Sequence, residues 1–210
     1  MKGYWFVHLD VHNPEPYKAY VAANHAPFRK FGARYLVRIG RFEIPEGRNR
    51  ARHVVLEFPS FQSAHDCWHA SEYQEAMKLR TPHSTADLVI VEGYEGPQPD
   101  SAVAWASAGS EPRGYWIARA DVRDPEQYKR YAAANATAFG KYGARYLARG
   151  GRFENQEGMS RSRNVLIEFP SYRAALDCWK SPEYQAAMQL RKDVSTIDLV
   201  VIEGYDGAQP

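Results

Sequence analysis

The chain of 210 residues has only two cysteines, a formal net charge of +2 and no long apolar run. Each shortage removes a class of function. Cys67 and Cys178 are equivalent residues of a repeat, each within an apolar helical pattern (Phe61, Ala64, Cys67, Trp68; Tyr172, Ala175, Cys178, Trp179). One thiol per repeat makes neither a disulfide framework nor a metal site, so both are expected to be packed, reduced core residues. So small a net charge argues against nucleic acid or an anionic membrane as a partner. No stretch approaches the ~20 apolar residues of a membrane span. The N-terminus runs straight into a strand-like pattern without an export segment, and a cytoplasmic protein is expected. A glycine-rich phosphate loop, a Gly-x-Ser-x-Gly elbow and a His-Glu-x-x-His pair are all missing. Disorder is excluded by 44% hydrophobic and 13% aromatic residues.

What is present is a duplication. Tyr17, Asn24 and Phe28 recur as Tyr128, Asn135 and Phe139, and residues 3–99 align with 114–210 without a gap. Repeats at 1–99 and 113–210 joined by a linker at 100–112 are the expected organisation. The linker is rich in Ala and Ser, and its lone Trp105 is expected to pin it to the surface. Each repeat opens with a strand, Tyr4–Val11 or Tyr115–Val122. A helix follows, Pro14 to Phe31 or Pro125 to Tyr142, with Asn13 or Asp124 as N-cap and proline at the first helical position. Gly32 or Gly143 supplies the C-cap.

Strands are expected next at Ala33–Glu43 and Arg52–Phe58, then two short helical pieces carrying Trp68 and Tyr73, then a strand at Asp87–Tyr94. The second repeat follows the same order. This βαββαβ order is the ferredoxin-like unit, α+β, with both helices on one sheet face. Alternation leaves the other face to Tyr4, Phe6, His8, Arg34, Leu36, Arg38, Val55, Glu57, Val89 and Val91, too apolar for water. The second repeat is the obvious cover, so the two sheets are expected to pack face to face as an intramolecular α+β barrel.

Several motifs recur in fixed order: Gly3-Tyr4-Trp5, Tyr17-x-x-Tyr20-x-x-x-Asn24, Tyr35-Leu36-x-Arg38-x-Gly40-Arg41-Phe42-Glu43, Glu57-Phe58-Pro59-Ser60, Glu72-Tyr73-Gln74-x-Ala76-Met77-x-Leu79-Arg80 and Asp87-Leu88-Val89-x-x-Glu92-Gly93-Tyr94. Together they resemble the domain-of-unknown-function family DUF1330 of the dimeric α/β-barrel superfamily, over nearly all of both repeats. The resemblance implies a fold in which single units pair. This chain would be a tandem pseudo-dimer, as a monomer or as a homodimer of itself. The superfamily includes cofactor-free monooxygenases, isomerases, cyclases and haem-handling enzymes, so the resemblance implies no single chemistry.

Strand parity and the helix face suggest an apolar pocket between sheet and helices with few polar groups, the usual composition of a small-molecule site. Asn24 interrupts the apolar helix face. Arg41 and Glu92 fall on the helix-facing side if alternation is strict, with Gly40 as a candidate bulge. Asn24 and Arg41 are the expected groups to fix a carbonyl or carboxylate, with Tyr20 and Trp68 beside them and Glu92 as acceptor or base. Asn135, Arg152, Tyr131, Trp179 and Glu203 are the counterparts. Against this stands a structural reading, in which Asn24 bonds a strand-end backbone group and Arg41 pairs with Glu92 as a rim ion pair. All seven histidines lie in the first repeat, so an imidazole base or metal ligand would serve one half only. Two small histidine groupings stay open, His8 with His53 and Glu57, and His65 with His69. Solvated or interface histidines fit better. No metal, cofactor, nucleic acid or membrane is expected. The expected function is binding, isomerisation, cyclisation or cofactor-free oxygenation of a small apolar carbonyl-bearing metabolite. The alternative is a non-catalytic small-molecule binder or a stress-associated structural protein.

Overall fold

The computed structural model describes residues 1–103, 105 and 111–210. Its first repeat runs β1 (Gly3–Val11), α1 (Pro14–Ala23), α2 (His25–Lys30), β2 (Arg34–Arg38), β3 (Phe42–Glu46), β4 (Arg52–Phe58), α3 (Phe61–His69), α4 (Ser71–Arg80) and β5 (Ser84–Glu92). The second runs β6 (Gly114–Val122), α5 (Pro125–Lys141), β7 (Arg145–Arg149), β8 (Phe153–Glu157), β9 (Arg163–Phe169), α6 (Tyr172–Lys180), α7 (Pro182–Gln189) and β10 (Ser195–Glu203). Two five-stranded antiparallel sheets result, ordered β2-β4-β1-β5-β8 and β3-β10-β6-β9-β7.

The expected α+β architecture of two ferredoxin-like repeats packed sheet on sheet is what forms. Tyr4, Phe6, Val55, Val89 and Val91 of one sheet meet Tyr115, Ile117, Leu166, Val200 and Ile202 of the other in a buried layer. On the outer faces, Trp5 and Trp116 anchor two helix–sheet cores. Each indole donates to a helix backbone carbonyl, Ala64 and Ala175, at 3.0 Å, so the aromatic bulk is buried with its one polar group satisfied.

The sheets differ from expectation at their edges. The single strand expected at Ala33–Glu43 is two strands, and β3 leaves its own repeat to pair with β10. Reciprocally, β8 pairs with β5. The exchange covers a sheet edge on each side and leaves fewer unpaired backbone groups. A bulge also sits at Leu36 rather than Gly40, between the pairs Tyr35–Leu56 and Val37–Val55. It turns Val37 into the inter-sheet layer and Arg38 out toward the helices, reversing the face expected for Arg38. Arg34 and Glu57 keep their expected place as a cross-strand ion pair at 2.8 Å.

The long first helix is also interrupted, with α1 ending at Ala23 and α2 beginning at His25. Pro27 explains the break, because it has no N–H for the carbonyl four residues back and its ring crowds that carbonyl. Ala138 is the equivalent residue, and α5 is continuous. Asp124 caps α5 through two backbone N–H groups, whereas Asn13 makes no side-chain cap bond. Trp105 stacks between the guanidinium groups of Arg113 and Arg145, 4.6 and 3.4 Å from its ring centre. The expected pin is therefore present, while residues 104 and 106–110 of the linker lie outside the described residues.

Candidate functional site

The first repeat holds a cavity of about 290 Å³ between its helices and sheet. Trp5, Val7 and Leu9 of β1, Val54 and Leu56 of β4, and Leu88 of β5 form its floor. Tyr17, Tyr20, Val21 and Asn24 cover it, since spacings of three and four put them on one helix face. Phe28, Tyr35, Tyr73 and Arg80 complete the wall, and Lys18, Arg38, Ile39 and Arg52 stand at the mouth.

Its polar groups are few and distinct. Asn24 is 5% exposed, and its Oδ1 has no hydrogen-bond partner among the described residues. The expectation that Asn24 bonds a strand-end backbone group finds no such bond. The hydroxyls of Tyr20 and Tyr73 lie 3.3 Å apart. Arg80 is buried beside them and forms an ion pair with Glu157, which arrives from the second repeat on β8. Burial pushes the Tyr35 phenol up to about 12 and raises Tyr17 as well, so both stay protonated near neutral pH. Four cationic residues and no carboxylate line this cavity. Arg38 stacks on Tyr35, 4.6 Å from its ring centre, and Arg52 forms no ion pair among the described residues.

The residues expected at the site are only partly brought together. Asn24 and Tyr20 line the first cavity, and Asn135 and Tyr131 line the equivalent space of the second repeat, about 40 Å³. Trp68 and Trp179 lie outside both linings and pack edge-on against Trp5 and Trp116. Arg41 bonds Glu203, not Glu92, at 2.9 Å, and its guanidinium covers Tyr172 of the second repeat. Arg152 pairs with Glu154 at 2.8 Å over Phe61, while only its carbonyl meets the Glu92 backbone N–H. The strand exchange carries Arg41 and Arg152 away. Glu92 is displaced as well, four residues beyond Leu88 on β5 and about 13 Å along the strand. The expected rim of Arg41 and Glu92 therefore does not form at the Asn24 cavity.

Arg80, Arg38 and Tyr17 enter the site without having been expected there. Arg80 follows Tyr73 by two helical turns, a same-face spacing that could have revealed it. The bulge that re-aims Arg38 has no comparable local signal.

A second polar grouping lies between the sheets. His8 and His53 are cross-strand partners, each 1% exposed, with Nδ1 atoms 2.7 Å apart. Arg119 and Asn164 are their counterparts and are also buried. Burial, then the Arg119 charge, drives His53 down to about 4 and His8 well below the ordinary imidazole range. Both rings are neutral near pH 7. Among the described residues, no group of three or more His, Cys, Asp or Glu could hold a metal ion, and no helix is long and apolar enough to cross a membrane.

Comparison with known proteins adds a family and a fold. The family model "Domain of unknown function (DUF1330)" matches residues 2–94 and again 113–205. No curated protein matches the chain. Among solved structures, an anthrone oxidase-like protein is 10% identical, with a TM-score of 0.58 over 99% of this chain and 92% of its own. A protein provisionally assigned as a chlorite dismutase is 12% identical, with a TM-score of 0.55 over 98% and 96%. A DypB variant solved with manganese is 10% identical, with a TM-score of 0.54 over 96% and 93%. At such identities the likeness is one of fold.

Proposed function

The chain belongs to the DUF1330 family as two copies in one polypeptide, and from that premise we propose that its first repeat binds a small acid with a flat apolar body. The observation that carries this reading is the lining: an aromatic cavity whose mouth carries Arg38 and Arg52, neither of them in an ion pair among the described residues, whereas Lys18 beside them is already paired with Glu15 at 2.8 Å. An ionised carboxyl or enol would meet Arg38 and Arg52, guanidinium groups suited to oxygen acceptors. The apolar body would displace water from Trp5, Val7 and Phe28. The free Oδ1 of Asn24 would accept a hydrogen bond from a hydroxyl of the ligand.

Binding is favoured over turnover because the lining has no free carboxylate or imidazole, and burial keeps the phenols of Tyr17 and Tyr35 protonated. The superfamily that the motifs resemble includes haem-handling enzymes, but this cavity has no histidine, cysteine or methionine in its lining to hold the iron, and burial keeps the phenols of Tyr17, Tyr35 and Tyr73 protonated rather than as ligating phenolates. The residues do not fit that cofactor. Tryptophan fluorescence titration with 2-naphthoate and with its neutral methyl ketone tests the reading. Saturable binding of the acid, at least fivefold tighter than the ketone and weakened by Arg52→Gln, is expected. Equal affinity for both, or no saturable binding of either, would refute it.

A further inference from the structure

The two repeats build their cavities from matching positions, yet one encloses about 290 Å³ and the other about 40 Å³. Side-chain bulk does not explain this. Val7, Leu9 and Val21 of the first lining correspond to Ala118, Ala120 and Ala132 of the second, a greater loss of bulk than Ile197 restores in place of Ala86, so on size alone the second should be roomier.

Besides the break in the covering helix at Asn24, the two repeats differ at the mouth. In the second repeat Gly150 has a left-handed backbone, φ 57°, and Arg163 fills the space beside it. A Cβ on Gly150 would come within 2.6 Å of Arg163 Nη1 and 2.9 Å of its Cζ. From there the guanidinium covers Tyr128, 5.7 Å from the ring centre. The residue equivalent to Gly150 in the first repeat is Ile39. It has nearly the same backbone, φ 54°, and is the one non-glycine residue with positive φ among the described residues. A β-branched side chain is strained there, and Ile39 is 59% exposed, so burial does not offset the strain. Its Cβ stands where Arg163 lies in the other repeat, so Arg52 cannot close over Tyr17 in the same way. The covering helix follows suit. Tyr131 sits 5.0 Å from the Arg191 guanidinium, whereas Tyr20 is 5.7 Å from that of Arg80.

We propose that Ile39 props open the mouth of the first cavity, that Arg163 shuts the second, and that of these two equivalent cavities only the first is a ligand site. The duplication has separated a binding half from a closed, supporting half. The site count rests on the reading of the first cavity as a ligand site, but the mouth device does not.

Val7 and Ala118 provide the test. Both lie mid-strand on the central strands β1 and β6 and line the two cavities. The native thiols Cys67 and Cys178 are fully buried and give a silent background. Labelling of Val7→Cys and Ala118→Cys with methyl methanethiosulfonate, followed by mass spectrometry, should run at least tenfold faster at position 7. Gly150→Ile or Arg163→Ala should each accelerate labelling of Ala118→Cys toward the rate at position 7, and Ile39→Gly should slow Val7→Cys. Arg163→Ala introduces no backbone strain, so it decides the matter if Gly150→Ile folds poorly. Equal rates in the two parent variants, or an unchanged Ala118→Cys rate in Arg163→Ala, would overturn the mouth device. Unequal rates with no protection of Val7→Cys by 2-naphthoate would leave the device standing and remove the ligand reading and its single-site count.

Discussion

Acid should weaken this fold before its carboxylates begin to titrate, because of one buried pair. His8 and His53 face each other across β1 and β4, each 1% exposed, and the charge of Arg119 from the second repeat opposes protonation of both. Arg50 also opposes protonation of His8, and Asp10 only partly offsets the effect at His53. In the unfolded chain each imidazole takes a proton near pH 6.5, whereas folded His53 does so near pH 4. Between these values the unfolded state binds the extra proton, so stability is complete above pH 6.5 and falls as the pH drops toward 4. The gap of about two and a half pH units, at about 1.4 kcal/mol for each, amounts to about 3 to 4 kcal/mol for His53, and His8 acts in the same direction. The two rings share a hydrogen bond and titrate as a pair. Urea unfolding at constant ionic strength from pH 7.5 down to 4.5 measures the loss. The double variant His8→Gln/His53→Asn, which places at 53 the residue the second repeat has at 164, should flatten the profile over this range. Unchanged stability of the unsubstituted protein between pH 7 and 4.5, or an equal slope in the double variant, would refute the reasoning.

The exchanged strands should make each half depend on the other. Glu157→Gln leaves Arg80 buried with its charge unpaired, and a loss of about 2 kcal/mol in urea melts is expected, since Glu157 is itself one-fifth exposed. Glu46→Gln should act likewise through Arg191, which it meets at 2.9 Å; no loss in either variant would show that these pairs contribute nothing. Asn24→Leu and Asn135→Leu remove carboxamides whose Oδ1 atoms lack partners, so thermal midpoints should hold or rise. Affinity for 2-naphthol-3-carboxylate should fall about fivefold in Asn24→Leu alone. A drop in midpoint, or equal affinity loss in Asn135→Leu, would remove Asn24 from the site.

Much of the molecule is legible in its sequence because local rules govern it. Alternation at Tyr4–Val11 sorts one sheet face from the other, and the spacing of Tyr17, Tyr20 and Asn24 defines one helix face. The repeat itself makes a sheet-on-sheet pairing the natural way to cover the inner faces. Those rules place Asn24 and Tyr20, with Asn135 and Tyr131, in the helix–sheet layer. They fail where a residue's position depends on a partner distant in the chain. The bulge at Leu36 reverses Arg38, and the passage of β3 and β8 into opposite sheets takes Arg41 to Glu203 and brings Glu157 to Arg80. Both follow from closing two sheets at their edges, where unpaired backbone groups must find partners that adjacent residues do not supply. The unequal cavities were also beyond local rules, since Ile39 and Gly150 differ by one side chain whose effect depends on an arginine from a neighbouring strand. Fold, duplication and the helix-borne half of the candidate site are thus properties of this sequence read locally. Tertiary packing decided which charges meet and which cavity is open, because those outcomes depend on contacts between distant strands.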